Sequence, residues 1–354
     1  MGPKGPMGKP VAVYLPVMSI TLSAEKLGAA RELARVIGPG ARVTLTTHVN
    51  PDGDGLGSEV GLVHALRDRG ITVTIANPTP TPPRFGFLFA DLPGVDRTAE
   101  AVRELRRADL IVVLDISDLG RLGMLADTVA GRGVPVACID HHVSPGTLPA
   151  GPRYVDASAA ATAELVVEIA LANDWTLSRA AARALYVGIM TDTGGFRFSN
   201  THPRTLRIAA ELLEKGIDPE SMYSDVYAGA PEGRVRLLAE ALQTLVVEPK
   251  PGLAWITVPP GAVERHGVSS DDLDGVVEHA RSIGGVRMAL LFREIAQGRI
   301  KVSLRSVGAV DVAQFANEFG GGGHTKAAGL SLQGPMAEVQ TRVLEAARAY
   351  LVQA

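Results

Sequence analysis

Residues 43–56 bring three side chains that can bind a cation close together. The stretch reads VTLTTHVNPDGDGL and carries His48, Asp52 and Asp54, with the two carboxylates two residues apart and the imidazole four residues before the first of them. Like charges at this spacing repel and raise each other's pKa, so the cluster is unfavourable unless something positive binds there. The simpler interpretation is an Asn-Pro-Asp-Gly turn between a strand and a helix. Further ligands elsewhere in the chain decide between the two.

Three other groups of polar residues are candidates for those ligands. Asp115 lies at the end of one predicted apolar strand, and Asp140-His141-His142 directly follows another. Asp192 follows a predicted helix, in the run Thr-Asp-Thr-Gly-Gly. Each group therefore lies where a regular element ends, as the first group does.

Together these groups form an oxygen-rich ligand set. Its members are His48, Asp52, Asp54, Asp115, His141 and Asp192. Carboxylates with some imidazole suit Mn²⁺ or Mg²⁺ better than a structural zinc ion, which prefers thiolates. Four carboxylates and two histidines are too many for one ion. They suit two ions that share a carboxylate, about 3.5–4 Å apart, an arrangement used for attack at phosphorus.

Two other interpretations of the first stretch fail. The Asn50-x-Asp52-x-Asp54 spacing is typical of the start of a helix-loop-helix calcium site, but that loop needs a glutamate at its twelfth position, where this chain has Gly61. The glycines around Asp54 suggest a phosphate-binding loop, but no Gly-Lys-Ser/Thr sequence follows them. Neither alternative explains the cluster.

The candidate ligands lie on a chain that alternates between strands and helices. Strands are predicted over 43–47, 72–76, 110–116 and 134–139. Helices are predicted over 22–37, 56–69, 99–107, 159–173, 178–190, 203–215, 219–227 and 231–247. Continuously apolar strands separated by helices are typical of a parallel sheet covered on both faces. Because such sheets bind ligands beyond the carboxyl ends of their strands, we expect an α/β domain with the site at that edge.

The C-terminal part is predicted to be a smaller α+β domain. Its predicted strands are 253–258, 286–295, 300–305 and 328–332, and its predicted helices are 271–281, 310–318 and 336–352. The run Pro-Lys-Pro-Gly at 249–252 is interpreted as the end of a connector between domains. The expected organisation is a flexible extension over 1–20, a catalytic domain over 21–229, a helical linker over 230–252 and a substrate-binding domain over 253–354.

Composition narrows the functional classes. The chain has 354 residues, of which 46% are hydrophobic, which is enough for two cores. The net charge of −3 excludes a general basic surface for long nucleic acid. Cys138 is the only cysteine, which fits a reducing cytoplasm. No run reaches the roughly 20 apolar residues that a membrane-spanning helix needs. We expect a soluble cytoplasmic protein that does not bind membranes, and the sequence is compatible with a homodimer.

Six motifs, in order, resemble those of a known family. Four resemble the motifs of the DHH phosphoesterase superfamily, namely His48-Val-Asn-Pro-Asp52-Gly-Asp54, Asp115, Asp140-His141-His142 and Thr191-Asp192-Thr193-Gly194. Two resemble the DHHA1 domain that accompanies it, namely Ser303-Leu-Arg305-Ser306 and Phe319-Gly-Gly-Gly-Gly323-His324. The resemblance extends from about residue 22 to near the end of the chain. It implies a Rossmann-like, parallel-sheet DHH domain, a smaller α+β DHHA1 domain and an active-site cleft between them.

The resemblance also implies a role for each candidate in the first domain. It implies two Mn²⁺ ions, with Mg²⁺ or Co²⁺ as substitutes, the first held by His48, Asp52 and Asp115 and the second by Asp54, Asp115, His141 and Asp192. Asp115 would bridge the ions, and water activated between them would attack phosphorus in line. His142 would lie near the phosphate, either stabilising charge or protonating the leaving oxygen. Asp140 would orient a histidine from outside the ligand shell.

The second domain is expected to recognise the substrate. The residues expected to contact substrate are His142, Ser303, Arg305, Arg293, Gly321, Gly322, Gly323 and His324. A run of glycines lets the backbone approach a phosphate closely, and the planar guanidinium of Arg305 can grip a terminal phosphate. The simpler interpretations are a helix C-cap with a tight turn for the glycines and a solvated strand residue for Arg305.

Within the superfamily, the size of the chain most resembles the oligoribonuclease and pAp phosphatase type. This resemblance implies a Mn²⁺-dependent exonuclease that degrades very short RNA to mononucleotides and dephosphorylates 3′-phosphoadenosine 5′-phosphate (pAp), with short RNA or DNA oligonucleotides as substrates. The alternatives are a pApA or cyclic-dinucleotide phosphodiesterase, a single-strand DNA exonuclease, an inorganic pyrophosphatase and a non-catalytic nucleotide sensor. The complete ligand set argues against a sensor, because buried carboxylates are costly to maintain.

Overall fold

The computed structural model describes residues 20–38, 40–131, 133–142, 146–229, 231–273, 275–295 and 298–353. The chain divides into two compact units, Met1–Gly229 and Ala230–Ala354. The extension predicted over 1–20 lies outside the described residues except for Ile20. None of the described helices is both long and apolar enough to cross a bilayer.

The first unit contains a five-stranded parallel sheet. Its strands are β1 (Arg42–Thr46), β2 (Thr72–Ile75), β3 (Leu110–Leu114), β4 (Val136–Asp140) and β5 (Arg153–Val155), in the order β2-β1-β3-β4-β5. Its helices are α1 (Ala24–Val36), α2 (Gly53–Arg67), α3 (Ala101–Arg107), α4 (Ala126–Ala130), α5 (Thr162–Ala172), α6 (Arg179–Asp192), α7 (Pro203–Leu213) and α8 (Pro219–Tyr227). The predicted α/β class with a parallel sheet is confirmed.

Both faces of this sheet are buried. Val112 and Leu114 of β3 belong to the core that includes α2, α5 and α6, whereas Ile111 and Val113 belong to a second core with α3 and α4. Alternate side chains of one strand therefore enter opposite cores. This is the physical reason for the continuous apolar run at 110–114, since neither face of the strand meets water.

Helices α2 and α6 pack unusually close together through glycines of α2. A Cβ at Gly57 would lie 2.5 Å from the carbonyl oxygen of Ala184 and 2.9 Å from the backbone nitrogen of Gly188. A Cβ at Gly53, one turn earlier, would lie 2.5 Å from Thr191 Oγ1. From Gly53 to Gly57 the chain advances along α2, whereas the residues contacted on α6 move back from Thr191 to Gly188 and Ala184. The two helices are therefore antiparallel. The first turn of α2 therefore lies beside the last turn of α6.

The second unit contains a six-stranded, mostly antiparallel sheet. Its strands are β6 (Val246–Glu248), β7 (Leu253–Thr257), β8 (Met288–Ile295), β9 (Arg299–Ser306), β10 (Gly322–His324) and β11 (Ala327–Gln333), in the order β10-β11-β9-β8-β7-β6, and only β7 and β8 pair in parallel. Its helices are α9 (Glu232–Leu242), α10 (Ala262–Arg265), α11 (Val276–Arg281), α12 (Val312–Asn317) and α13 (Met336–Gln353). This arrangement confirms the predicted smaller α+β domain.

Two of the differences between predicted and observed boundaries bear on the site and on the domain organisation. The helix predicted to begin at Leu56 begins at Gly53, because the Asp52 side chain caps it three residues earlier. The helix predicted over 231–247 ends at Leu242, and Val246–Glu248 pairs with β7. Residues 249–252 are therefore a hairpin loop of the second unit, in place of the predicted connector. The helix before them packs in the same unit, because its Leu237 and Ala241 belong to a core with β7 and β8.

The close approach of α2 and α6 makes a clear prediction for Gly57→Ala. The added methyl group would meet backbone atoms that cannot rotate away, so we expect a loss of about 1–3 kcal/mol in the free energy of unfolding. Gly28→Ala is the matched control, because Gly28 lies within α1 with nothing within 4 Å of its Cβ position. We expect that change to stabilise the protein by about 0.5–1 kcal/mol. Denaturant unfolding measures the free energy of unfolding of both variants. Equal changes in the two would contradict the close backbone packing of α2 against α6.

Candidate metal centre

The predicted ligands meet at the carboxyl edge of the parallel sheet. His48 lies just beyond β1, and Asp115 and His141 directly follow β3 and β4. The carboxyl ends of parallel strands lie on one edge, which brings these three residues together. Asp54 in the first turn of α2 and Asp192 at the end of α6 reach the same edge, because the two helices pack antiparallel.

The first group of ligand atoms consists of His48, Asp52 and Asp115. The Nε2 atom of His48 lies 3.7 Å from Asp52 Oδ2 and 3.7 Å from Asp115 Oδ2. These distances exceed a hydrogen bond. A single ion fits between such atoms, because two bonds of about 2.1 Å span up to about 4.2 Å. The group can therefore hold one cation.

The second group is centred on His141. Its Nε2 atom lies 3.7 Å from Asp54 Oδ2, 3.6 Å from Asp115 Oδ1 and 3.5 Å from Asp192 Oδ2. The same distance argument allows a cation here. Asp115 contributes Oδ2 to the first group and Oδ1 to the second, so its carboxylate lies between them.

Both histidines are oriented by backbone carbonyl groups. The Nδ1 atom of His48 lies 2.8 Å from the carbonyl oxygen of Val49, and that of His141 lies 3.3 Å from the carbonyl oxygen of Ala159. A carbonyl oxygen only accepts, so each Nδ1 carries the proton. In the neutral ring, each Nε2 is then the unprotonated nitrogen that faces the carboxylates, which is the tautomer that a metal ligand needs.

Asp52 and Asp54 face different groups because they occupy different positions at the start of α2. Asp52 caps the helix, and its Oδ1 accepts hydrogen bonds from the backbone nitrogens of Asp54 at 3.0 Å and Gly55 at 3.1 Å. Its Oδ2 is left to face His48. Asp54 lies within the first turn and points towards His141. The two-residue spacing therefore separates the carboxylates between the two groups.

The carboxylate of Asp54 also caps α5, which has no capping side chain of its own. The N-cap residue of α5 is Ala161. The backbone nitrogens of Thr162 and Ala163 donate to Asp54 Oδ2 at 2.6 Å and to Oδ1 at 2.9 Å, and Ser58 Oγ donates to Oδ1 at 3.3 Å. The amides at a helix N-terminus stabilise a negative charge. One carboxylate thus joins α2 to α5 at the centre of the site.

Electrostatics shows that the cluster needs positive charge. Burial, together with the charges of Asp115, Asp192 and Asp52, raises the pKa of Asp54 well above its ordinary value. Burial raises the pKa of Asp192 to about 7, although His141 opposes this. In the described part of the chain, the ion-pair partners of the four clustered carboxylates are all histidines. The donor set therefore fits divalent cations.

Two further pKa shifts show that Asp115 and His48 each favour the charged form of the other. Burial raises the pKa of Asp115, but the facing ring of His48 and the charges of the nearby histidines outweigh it and lower the pKa below the usual range. Burial lowers the pKa of His48, but Asp115 and Asp52 raise it to about 10. The positive charge that these carboxylates favour thus resides on His48 when no ion is bound.

Asp115 adopts a backbone conformation that is uncommon for a residue other than glycine. Its φ angle is +58° and its side chain is 3% exposed. Such conformations carry strain and persist where the surrounding structure imposes them. The strained turn directs the Asp115 carboxylate between the two ligand groups.

Asp140 and His142 lie next to this cluster. His142 Nδ1 donates to Asp140 Oδ1 at 2.8 Å, and the Asp140 side chain is fully buried. Burial lowers the pKa of His142, but the hydrogen bond to Asp140 and the charge of Asp115 outweigh it, so the net shift is upward. His142 Nδ1 also lies 3.7 Å from Asp115 Oδ1. The hydrogen bond to Asp140 therefore favours the protonated form of the His142 ring, which lies at the edge of the two ligand groups.

In the second unit, the structure gives partners to the predicted substrate-binding arginines. Arg305 Nε donates to Glu278 Oε1 at 2.7 Å, and its Nη1 donates to the carbonyl oxygen of Leu304 at 3.0 Å. Arg293 Nη1 donates to the carbonyl oxygen of Ser270 at 2.8 Å. The role of these arginines in substrate binding stays a prediction.

The predicted glycine run has packing reasons of its own. A Cβ at Gly321 would lie 2.3 Å from the carbonyl oxygen of Gly329, and one at Gly323 would lie 2.5 Å from that of Ala327. Gly323 also has a φ of +146°. Strand pairing accounts for these two glycines, whereas Gly322 has only Asn317 Oδ1 within 4 Å, at 3.6 Å.

The predicted substrate-binding positions occupy neighbouring strands. In the sheet register, Gly322 and Ser303 both pair with Gly329, and His324 and Arg305 both pair with Ala327. The structure thus gathers these backbone positions at one end of β9, β10 and β11. The side chain of His324 lies outside the described part of the chain.

The sequence analysis missed several residues that support the centre. Asn77 accepts a hydrogen bond at Oδ1 from the backbone nitrogen of Thr47 at 3.0 Å, and its Nδ2 donates to the buried Glu59 at 2.9 Å. Burial raises the pKa of Glu59 to about 8. Asn77 lies just after β2. The rule that polar residues at strand ends mark the site, which located the candidate ligands, could also have found it. Thr162 follows a run of alanines without a helix cap, which was its signal.

Two family models match the chain. Residues 42–189 match the DHH family, N-terminal domain, and residues 256–353 match the DHHA1 domain. The chain belongs to the DHH phosphoesterase family and is a hydrolase with a C-terminal DHHA1 domain.

Individual relatives cover nearly the same length. The bifunctional oligoribonuclease and PAP phosphatase NrnA of Thermus thermophilus is 35% identical over 343 residues, which is 93% of this chain and 96% of the relative. The protein of the same name from Bacillus subtilis is 30% identical over 305 residues, covering 85% and 92%. The crystal structure of an exopolyphosphatase-related protein from Bacteroides fragilis is 28% identical, with a TM-score of 0.84 over 92% of this chain and 96% of that one.

The raised pKa values predict that ion binding releases protons. The pKa of Asp54 is raised and that of Asp192 is raised to about 7, so protons compete with a divalent ion for these carboxyls as the pH falls. Affinity should therefore rise as pH increases through about 7. Calorimetric titration with Mn²⁺ in buffers of different protonation enthalpy measures the protons released. We expect greater release from these carboxyls at about pH 6 than at about pH 8, and no release at the lower pH would contradict the assignment.

Proposed function

We propose that this chain is a Mn²⁺-dependent two-metal phosphoesterase that degrades very short RNA to mononucleotides and dephosphorylates pAp. The observation that carries the proposal is the position of Asp115, whose two carboxylate oxygens face two separate ligand groups. The names of the relatives from Thermus thermophilus and Bacillus subtilis support the choice of substrates. A cytoplasmic location fits the single buried thiol of Cys138.

The proposed ion assignment follows the two groups. The first ion is held by His48, Asp52 and Asp115, and the second by Asp54, Asp115, His141 and Asp192. Carboxylate oxygens with one imidazole per ion suit Mn²⁺, with Mg²⁺ or Co²⁺ as substitutes. When bound, two such ions lower the pKa of water and neutralise charge on a phosphoryl group.

The chain's own residues supply a proton and orientation. His142 is the proposed proton donor, because its Nδ1 is held by Asp140 and its pKa is raised. A cationic imidazole held in this way can donate from Nε2 to a leaving oxygen. Asp140 is 0% exposed, so water does not compete for this hydrogen bond.

Substrate recognition is proposed for the second unit. Arg305, Ser303 and the backbone at Gly321, Gly322 and Gly323 would bind a terminal phosphate, with His324 and Arg293 beside them. The register that gathers these positions supports the proposal. In this proposal Arg305 exchanges its ion pair with Glu278 for a phosphate, which offers the guanidinium two parallel acceptors. The net charge of −3 favours short substrates over long ones.

A substrate ladder tests the proposed function. The purified protein with Mn²⁺ is incubated with 5′-labelled RNA and DNA from two to about seven nucleotides long, and with pAp, pApA, a cyclic dinucleotide and pyrophosphate. We expect mononucleotides from short RNA and phosphate from pAp, both lost on chelation. Activity confined to the dinucleotides, to longer DNA or to pyrophosphate would replace the proposal with the corresponding alternative. No turnover of any substrate would overturn it.

Asp115→Asn tests the bridging assignment. Asparagine tolerates a positive φ better than most residues, so the fold should persist while one bridging oxygen and the charge are lost. We expect the turnover rate to fall by more than the roughly 10–100-fold that loss of an outer-shell partner costs. Asp109→Asn is the control, because Asp109 precedes the same strand at the opposite edge and pairs with Arg42. Substantial activity in Asp115→Asn would contradict the two-ion assignment.

Arg305→Ala tests recognition by the second unit. Loss of a charge-assisted phosphate contact of about 1.5–3 kcal/mol should raise KM roughly 10–100-fold for oligonucleotides and change kcat little. Arg299→Ala, at the other end of β9, is the control. Steady-state kinetics on the RNA ladder measures both. Unchanged KM at every length would show that Arg305 does not bind substrate.

A further inference from the structure

The segment 159–163, which leads into α5, contacts three of the proposed ligands. The carbonyl oxygen of Ala159 lies 3.3 Å from His141 Nδ1. Thr162 donates from its backbone nitrogen to Asp54 Oδ2 at 2.6 Å and from its hydroxyl to Asp115 Oδ1 at 2.9 Å. The segment contributes no ligand itself, yet it contacts the second ligand group from outside.

We propose that Thr162 is a positioning residue that assigns the two oxygens of Asp115 to separate ions and is required for tight binding of the second ion. The inference rests on the two-ion assignment in the proposed function. Thr162 contacts neither substrate nor ion in this account and acts through Asp115 and Asp54.

The geometry at Asp115 gives the physical reason. The terminal torsion of an aspartate is soft and roughly two-fold, so nothing intrinsic to the side chain distinguishes its two oxygens. The Thr162 hydroxyl donates to Oδ1, which lies 3.6 Å from His141 Nε2, while Oδ2 lies 3.7 Å from His48 Nε2. A donor to one oxygen removes the equivalence and holds that oxygen on the side of the second group.

Burial strengthens this hydrogen bond. Thr162 is 0% exposed and Asp115 is 3% exposed, so bulk water does not replace the hydroxyl. Hydrogen bonds to a charged acceptor in a buried site are stronger than neutral ones.

The segment is held rigidly from its other side. Glu164 Oε2 accepts hydrogen bonds from the backbone nitrogen of Ala160 and from Thr205 Oγ1, both at 3.1 Å. Asn200 Nδ2 lies 3.1 Å from the carbonyl oxygens of both Ala160 and Asp192. Asn200 thus connects the segment 159–163 to the backbone of Asp192, which is another proposed ligand in the second group.

Substitutions at Thr162 separate this role from a structural one. Thr162→Val keeps the backbone donor and the branched shape and removes only the hydroxyl. Thr162→Ser and Thr162→Ala are a second pair, smaller than threonine, that differ from each other by the hydroxyl alone, and they serve if the valine variant does not fold. Thr44→Val is the matched control, because Thr44 is 3% exposed on β1 and its hydroxyl contacts Thr74 and no ligand.

The test is calorimetric titration of each full-length variant with Mn²⁺ alone, with the thermal midpoint of the ion-free protein measured alongside. We expect Thr162→Val and Thr162→Ala to bind the first ion as the unaltered protein does and the second about 10–100-fold more weakly. Thr162→Ser and Thr44→Val should bind both ions within about two-fold of the unaltered protein.

Two results would overturn the inference. In the first, Thr162→Val binds both ions with affinities within about two-fold of those of the unaltered protein, or the affinities of Thr162→Ala lie within about two-fold of those of Thr162→Ser. The other is equal weakening of both ions with a lower thermal midpoint, which would indicate a structural role only. Failure of the proposed function is distinguishable, because it would appear as two-ion binding without turnover of oligonucleotides or pAp.

Discussion

The crowding of four carboxylates at one edge of a buried parallel sheet is the constraint on which the first unit depends. Two unit charges about 4 Å apart interact by about 4 kcal/mol at the effective dielectric constant near a protein surface. One ordinary hydrogen bond contributes about 1 kcal/mol, so hydrogen bonds alone do not offset several such repulsions. The structure answers with raised pKa values at Asp54 and Asp192, a raised pKa at His48 and the amides of α5. Divalent cations would make the first two unnecessary.

The architecture around the site follows from that requirement. The carboxylates of Asp54 and Asp192 meet because α2 and α6 pack closely through glycines of α2, and at Gly57 the nearest atoms of α6 are backbone atoms. Asp115 reaches the centre through a strained turn after β3. Asp54 caps a helix that carries no cap of its own. Each of these features holds a carboxylate at a buried position where its charge is unfavourable, which is typical of a functional site.

The candidate ligands were easier to predict from the sequence than the residues that hold them in place. Asp115 and His141 follow apolar strands, and the geometry of parallel sheets places such residues on one edge, so their meeting could be inferred without a structure. The contacts of Thr162 and Asn200 could not, because they join segments far apart in sequence and neither residue type signals a ligand. Likewise, the short strand β6 was missed because three residues carry too little pattern to separate a strand from the end of a helix. Close packing against the neighbouring strand also explains the glycines at 321 and 323, so their predicted role in phosphate binding stays a prediction.

The central claim is that Asp115 lies between two ions. Electron paramagnetic resonance of the protein loaded with Mn²⁺ tests it directly, because two ions about 3.5–4 Å apart interact magnetically and isolated ions do not. The account predicts two Mn²⁺ per chain with the spectrum of a spin-coupled pair. A single bound ion, or two ions with the spectrum of isolated Mn²⁺, would contradict it.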